Sequence, residues 1–277
     1  MLKRTSVVLS KIALASMILT SCGGGHEEEI KDEEVTTDTL SADVRQNMNL
    51  IRVSIPSPIL VTKQISKAGY NYNKSVLNSS SKSGGYSTKF QAAANLGIYG
   101  ADLGYVAGYN QSQDVLEYLA QISKLAKTVG VESAFDQDFG KNLNDNAGKG
   151  DTLLNIIDEA YAKAERNLRS NDRVAAASVI IAGGWIEGLY IATEIATSKP
   201  DAGKDMCHTI YNHTYAYSYV VELLNTYKKD ADCAKMLEEL KVAGSVLASY
   251  ANNPKLGPSD VVKIKEAIVP VRNKIVN

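Results

Sequence analysis

From Ile51 to the C-terminus, apolar residues recur every three or four positions with polar residues between them, the period of helices that bury one face. Pro56 and Pro58 open a first helix that the pattern carries to about Asn78, before a Ser- and Gly-rich break from Ser79 to Gly85. A second helix spans about Ser87 to Tyr109. In the third, Val115, Leu119, Ile122, Ala126 and Val129 share a face, Glu117, Gln121 and Lys124 lie elsewhere, and Gly130 is placed to cap the C-terminus. Phe135 and Phe139 mark a short fourth helix, and Leu153, Ile157, Ala160, Tyr161, Ala164 and Leu168 form the stripe of a fifth. A sixth runs from about Asp172 to Thr197, a seventh from Asp205 to Lys229, and an eighth from Asp232 to Tyr250. The ninth follows Pro258 and Ser259 and reaches Val276, with Pro270 expected to kink it. The fold class expected is all-α, a single bundle of about eight or nine helices over residues 51–277.

Helices two and six depart from the amphipathic pattern. Between Lys89 and Asp114 the only charge is Asp102, and Val174 to Ile186 carries none, so both helices should be enclosed by protein at the centre of the bundle. Both are also rich in Gly: Gly97, Gly100, Gly104 and Gly108 in one, Gly183, Gly184 and Gly188 in the other. Each Gly in a helix interior costs about 0.8 to 1 kcal/mol relative to Ala, and close backbone packing is the expected compensation. Gly100, Gly104 and Gly108 repeat every four residues, which predicts a tight crossing along that stripe. Ala101 to Ala107 and Ile186 to Ala192 share an order of apolar residue, acid, Tyr, β-branched residue and Ala. Two similar halves, each with one central helix, would explain that order.

Composition narrows the class. The chain has 277 residues, 44% hydrophobic and 22% charged, which excludes a disordered, collagen-like or polytopic membrane protein. No proline lies between Pro58 and Pro200, in keeping with long helices. Fifteen Tyr against three Phe and one Trp give the aromatic core many hydroxyls that need partners.

The N-terminus has its own logic. Lys3, Arg4 and Lys11 precede an apolar run from Ile12 to Leu19, too short for the roughly 20 residues that span a bilayer, so residues 1–21 read as a signal peptide. Leu19-Thr20-Ser21-Cys22 resembles the lipobox of bacterial lipoproteins, which implies that Cys22 is lipidated and begins the mature chain. Several acyl chains, at about 0.8 kcal/mol per buried methylene, would hold such a protein on the outer membrane. Residues 22–50 then read as a flexible acidic tether, with eight acids between His26 and Arg45. The acidic patch behind the Cys resembles the surface-export signal of Bacteroidota lipoproteins, and Asp38-Thr39-Leu40 resembles an O-glycosylation site of that phylum, at Thr39. Asp151-Thr152-Leu153 fits the same three-residue pattern, but there Asp151 is expected to serve as a helix N-cap. Beyond Arg45, 25 bases face 23 acids, so no basic surface is concentrated enough for nucleic acid.

Candidate chemistry lies on the central helices. Asp102 shares a face with Asn95, Tyr99 and Tyr109; Glu187, Tyr190 and Glu194 share another. Ionised carboxylates in apolar helices are costly unless paired. Either Tyr hydroxyls and loose helix ends satisfy them as structure, or they line a polar pocket, with Trp185 in its wall, as ligand contacts or acid/base groups. Helix seven carries a second candidate wall in Tyr211 and Tyr215, beside His208, Asn212, Tyr219 and Glu222. His208 and His213 are about 140° apart around a helix and cannot share a metal, and a lone Asp205-x-x-His208 falls short of a di-iron pattern. No metal site or cofactor is implied. Cys207 and Cys233 are expected too far apart to bridge. Ser79-x-x-Lys82 lacks the Lys-Thr-Gly partner of penicillin-binding enzymes, Gly148 to Thr152 lacks the phosphate-loop spacing, and no hydrolase or zinc motif occurs. The sequence therefore points to an anchored, non-catalytic module that binds a protein or small molecule, with a hydrolase-like enzyme using carboxylates in an interhelical cleft as the alternative.

Overall fold

The computed structural model describes residues 50–171, 173–199 and 203–277. The signal segment, Cys22, Thr39 and the acidic stretch before Leu50 lie outside the described residues. After a helical stretch at 50–53 come ten α-helices: α1 (Pro58–Lys67), α2 (Lys89–Gly108), α3 (Ser112–Val129), α4 (Gln137–Asp145), α5 (Gly150–Ser170), α6 (Val174–Thr197), α7 (Gly203–Tyr215), α8 (Tyr217–Thr226), α9 (Ala231–Tyr250) and α10 (Pro258–Val276). No strand occurs among the described residues, so the fold is all-α.

The count exceeds the expected eight or nine because the seventh predicted helix is broken at Ala216. In a continuous helix the His213 carbonyl would accept from the Tyr217 N–H; instead it accepts a hydrogen bond from Trp185 Nε1 at 2.9 Å. The first predicted helix is also shorter than its pattern, ending at Lys67, where Gly69 adopts a left-handed φ of +76°. Apolar residues Tyr70, Val76 and Leu77 continue a helix-like spacing beyond that point but belong to an irregular segment with two short 3₁₀ turns. Asp151 is not the cap of α5. The helix starts one residue earlier, because Gly150 lies against the end of α2, where an added Cβ would be 3.4 Å from the Ala107 and Gly108 carbonyls. Gly130 ends α3 in the left-handed conformation, as its position predicts.

Helices α2 and α6 are the centre of the bundle. Every α2 residue from Ala92 to Ala107 is buried. Among the described residues α6 is the one helix long and apolar enough to cross a membrane, and most of it is covered by protein. The two helices meet backbone to backbone, but at a different place from the predicted stripe. A Cβ on Gly97 would fall 2.0 Å from the Ile180 carbonyl oxygen, and one on Gly183 would fall 2.1 Å from that of Ala94. Gly100 and Gly108 face instead the side chains of Tyr161 and Thr62, and Gly104 meets only Ile59 Cγ1 at 3.3 Å. A helix enclosed on all sides has several neighbours, so the glycines of α2 are divided among α1, α5 and α6. The two halves are likewise not matched: α2 is followed by one long helix, α3, whereas α6 is followed by two shorter ones, α7 and α8.

Candidate functional site

The irregular segment between α1 and α2 lacks a helical ladder, so its main-chain groups need partners from elsewhere. Tyrosines supply many of them. The hydroxyls of Tyr99, Tyr109 and Tyr118 donate to the carbonyls of Ser79, Tyr70 and Asn78, each at 2.7 Å, while Tyr105 Oη accepts from Asn73 N–H at 3.0 Å. Tyr86 Oη and Asn95 Nδ2 bond the carbonyls of Val276 and Ile275, both at 3.1 Å, at the end of α10. The Tyr hydroxyls that the sequence offered as partners for the carboxylates thus mainly serve backbone. Tyr72, which donates to Asp114 at 2.6 Å, is the exception.

The carboxylates of α2 and α6 find a different partner. Asp102 and Glu187 are both fully buried. Glu187 is held in a fork by Arg272 of α10, with Nε to Oε2 at 3.0 Å and Nη2 to Oε1 at 2.9 Å. The same guanidinium lies 4.5 Å from the centre of the Tyr190 ring, so the face of Tyr190 packs on the ion pair. Asp102 Oδ2 accepts from the Asn78 N–H at 3.2 Å, and the carboxyl group also lies within hydrogen-bonding reach of Glu187. Burial, reinforced by the Glu187 charge, pushes the Asp102 carboxyl well above the usual carboxylate range, against the opposing pull of Arg272 and the Asn78 N–H. The site therefore favours the protonated form of Asp102 beside the salt bridge. Glu194 stands apart at the partly exposed end of α6, paired with Lys265 at 2.8 Å.

Tyr211 and Tyr215 do not join this cluster. They form a surface ladder with Tyr219, ring centroids 6.1 and 5.8 Å apart, and Tyr215 is 43% exposed. The candidate residues are thus split between a sealed core and the surface, and the residue that organises the core, Arg272, was absent from the sequence-derived set. Trp185 is wholly buried, and its ring stacks on His213.

An opening between helices lies on another side of α2. It is a cavity of about 250 Å³ where α2, α5 and α6 diverge beneath residues 52–58, walled by side chains such as Ile55, Ile59, Leu96 and Ile180 and floored by Gly97, Gly100 and Gly184. None of the candidate carboxylates reaches it. No family model, characterised protein or solved structure matches this chain. Its function has to be argued from these two features.

His213 provides a pH prediction. Its Nε2–H donates to the Trp185 carbonyl at 2.8 Å, Nδ1 is unpartnered, and burial lowers its pKa from 6.5 to about 4 despite that bond. The unfolded chain therefore binds the proton first. This contribution is complete above about pH 6.5 and is lost as pH falls toward 4, by about 3 kcal/mol in all. Asp102 acts in the opposite sense, since a raised carboxyl favours the fold increasingly as pH falls toward the ordinary carboxylate value. The expected result is read as a difference: denaturation of wild type and His213→Gln should diverge by about 3 kcal/mol across that window. Parallel pH profiles would contradict the buried neutral imidazole.

Proposed function

We propose that the protein is a lipid-anchored, all-α outer-membrane lipoprotein whose helical domain acts as a non-catalytic binding or interaction module. The signal segment, the lipobox-like Leu19 to Cys22 and the acidic stretch after it support the anchor. The burial of the ion pair carries the non-catalytic half of the reading. Glu187 has both oxygens engaged by Arg272 and no exposed surface, so it reaches neither substrate nor water, and Asp102 beside it is equally enclosed. The third carboxylate singled out from the sequence, Glu194, is tied to Lys265 and does not line the cavity. The cavity under residues 52–58, apolar with polar groups at its mouth, has the character of a small-molecule site and favours binding.

The anchor is tested by Cys22→Ala. The variant is expected to fold with an unchanged thermal midpoint and to appear in the soluble fraction, whereas wild type stays with outer membranes through a salt wash. Retention of Cys22→Ala in washed membranes would remove the lipid anchor from the account.

A further inference from the structure

We propose that the bundle rests on a phospholipid bilayer through the face where the chain enters it, around Ile51 and Leu223; this deepens the anchored reading and rests on it. Residues 50–53 form a helical turn whose inner side chain, Ile51, packs on Leu223 of α8, with Tyr219 and Tyr227 against the pair. The outer side of that turn is apolar as well. Leu50 is 59% exposed and Val53 67%. From Tyr219 the surface ladder runs on through Tyr215 to Tyr211, with ring centroids 5.8 and 6.1 Å apart. Exposed aliphatic side chains and a row of Tyr therefore adjoin at one place.

The chemistry of that face suits the boundary between lipid and water. A single exposed Leu or Val needs no explanation, but a contiguous apolar patch marks an interaction surface. Tyr presents an apolar ring and a wet hydroxyl, which is why it gathers at membrane interfaces. Arg52, on the same turn, brings no free charge, because its guanidinium is held by Glu165 at 2.8 Å. Past Tyr227 come Lys228 and Lys229, both exposed. Their long stems let the ammonium groups reach lipid phosphates while Leu50, Val53 and Tyr215 enter the boundary.

The place of the face in the chain identifies the partner as the bilayer. Twenty-seven residues separate Cys22 from Leu50. A flexible chain of that length has a mean reach of about 30 Å, less than the roughly 45 Å diameter of a compact domain of this size. A lipid on Cys22 would thus hold the Leu50 end nearer the membrane than any opposite face.

The test uses the mature, lipidated chain in vesicles of phosphatidylethanolamine and phosphatidylglycerol, with a nitroxide label on Val53→Cys or, as a control, on Leu116→Cys. Both positions are exposed, and Cys207 and Cys233 are buried, so the label goes to the new thiol and the fold is undisturbed. Leu116 belongs to α3, whose main packing is on α2, whereas α8 packs on α6 and α9. The label at 53 should collide with oxygen in preference to a water-soluble nickel chelate, at a depth of about 5 to 10 Å into the headgroup and acyl boundary, and the label at 116 should show the reverse preference. Tyr215→Asp should return the label at 53 to water, because the new charge would have to enter the same boundary. The proposal is overturned if the chelate reaches position 53 as readily as position 116, or if Tyr215→Asp leaves the depth unchanged. Spin–spin broadening at 53 that persists as the protein is diluted in lipid would assign the face to a second copy of the chain and overturns it too. Flotation of the same vesicles keeps the two readings apart: protein that floats with a water-exposed label at 53 retains its anchor and loses the docked face, whereas protein that does not float loses both.

Discussion

Gly97→Ala should lower the thermal midpoint by several degrees even though Ala is the better helix former. The added methyl would lie 2.0 Å from the Ile180 carbonyl oxygen and 2.6 Å from the Gly184 nitrogen. Both atoms are main chain of α6, so no rotamer change relieves the clash and α6 as a whole must move. Helix propensity favours Ala by about 1 kcal/mol, whereas overpacking costs about 1 to 3 kcal/mol when side chains can adjust, and more when they cannot. A net loss above about 2 kcal/mol corresponds to about 4 to 8 °C in a domain of this size. Gly104→Ala is the control: its methyl meets only Ile59 Cγ1 at 3.3 Å, a side-chain atom that can give, so the midpoint should stay level or rise. An unchanged Gly97→Ala, or a Gly104→Ala that is the worse of the two, would place the crossing of α2 and α6 elsewhere.

Arg272→Met carries the other large effect. The substitution keeps an unbranched apolar side chain beside Tyr190 but leaves Glu187, with no exposed surface, facing Asp102 without a cation. Breaking a buried ion pair from one side costs about 3 to 5 kcal/mol, because the surviving charge is stranded. The variant should therefore be destabilised by that amount at neutral pH. Chemical denaturation at neutral pH reads the loss. A deficit below about 1 kcal/mol at neutral pH would mean that Glu187 is solvated, as a site carboxylate would be.

How much of this was legible in the sequence differs by feature. The scarcity of charge along α2 and α6 identified them as the central helices, because only enclosure by protein makes such a surface tolerable. Their Gly content signalled close packing, but spacing alone does not say which neighbour each Gly faces. The stripe at 100, 104 and 108 was the regular one, and the contact formed at 97 and 183. The break at Ala216 was hidden because a tertiary bond, from Trp185 to the His213 carbonyl, causes it. For the candidate site, Asp102 and Glu187 stood out as lone acids in apolar helices. Their partner was readable in principle, since Arg272 falls four residues after Ile268 and eight after Ile264, on the core face of α10. Nothing local distinguishes that residue from a snorkelling surface Arg. The cavity could not be read at all, because it arises where helices far apart in sequence diverge.

The account rests on the carboxylates of α2 and α6 being structural, and a double-mutant cycle on Glu187 and Arg272 tests that claim most directly. Glu187→Gln and Arg272→Met should each destabilise the fold, the second by about 3 to 5 kcal/mol, because each leaves a buried partner unmatched. Together they remove both charges, so the double variant should lose less than the sum of the two by at least about 2 kcal/mol. Nearly neutral single variants with additive effects would contradict the sealed pair and return Glu187 to the list of residues free to do chemistry.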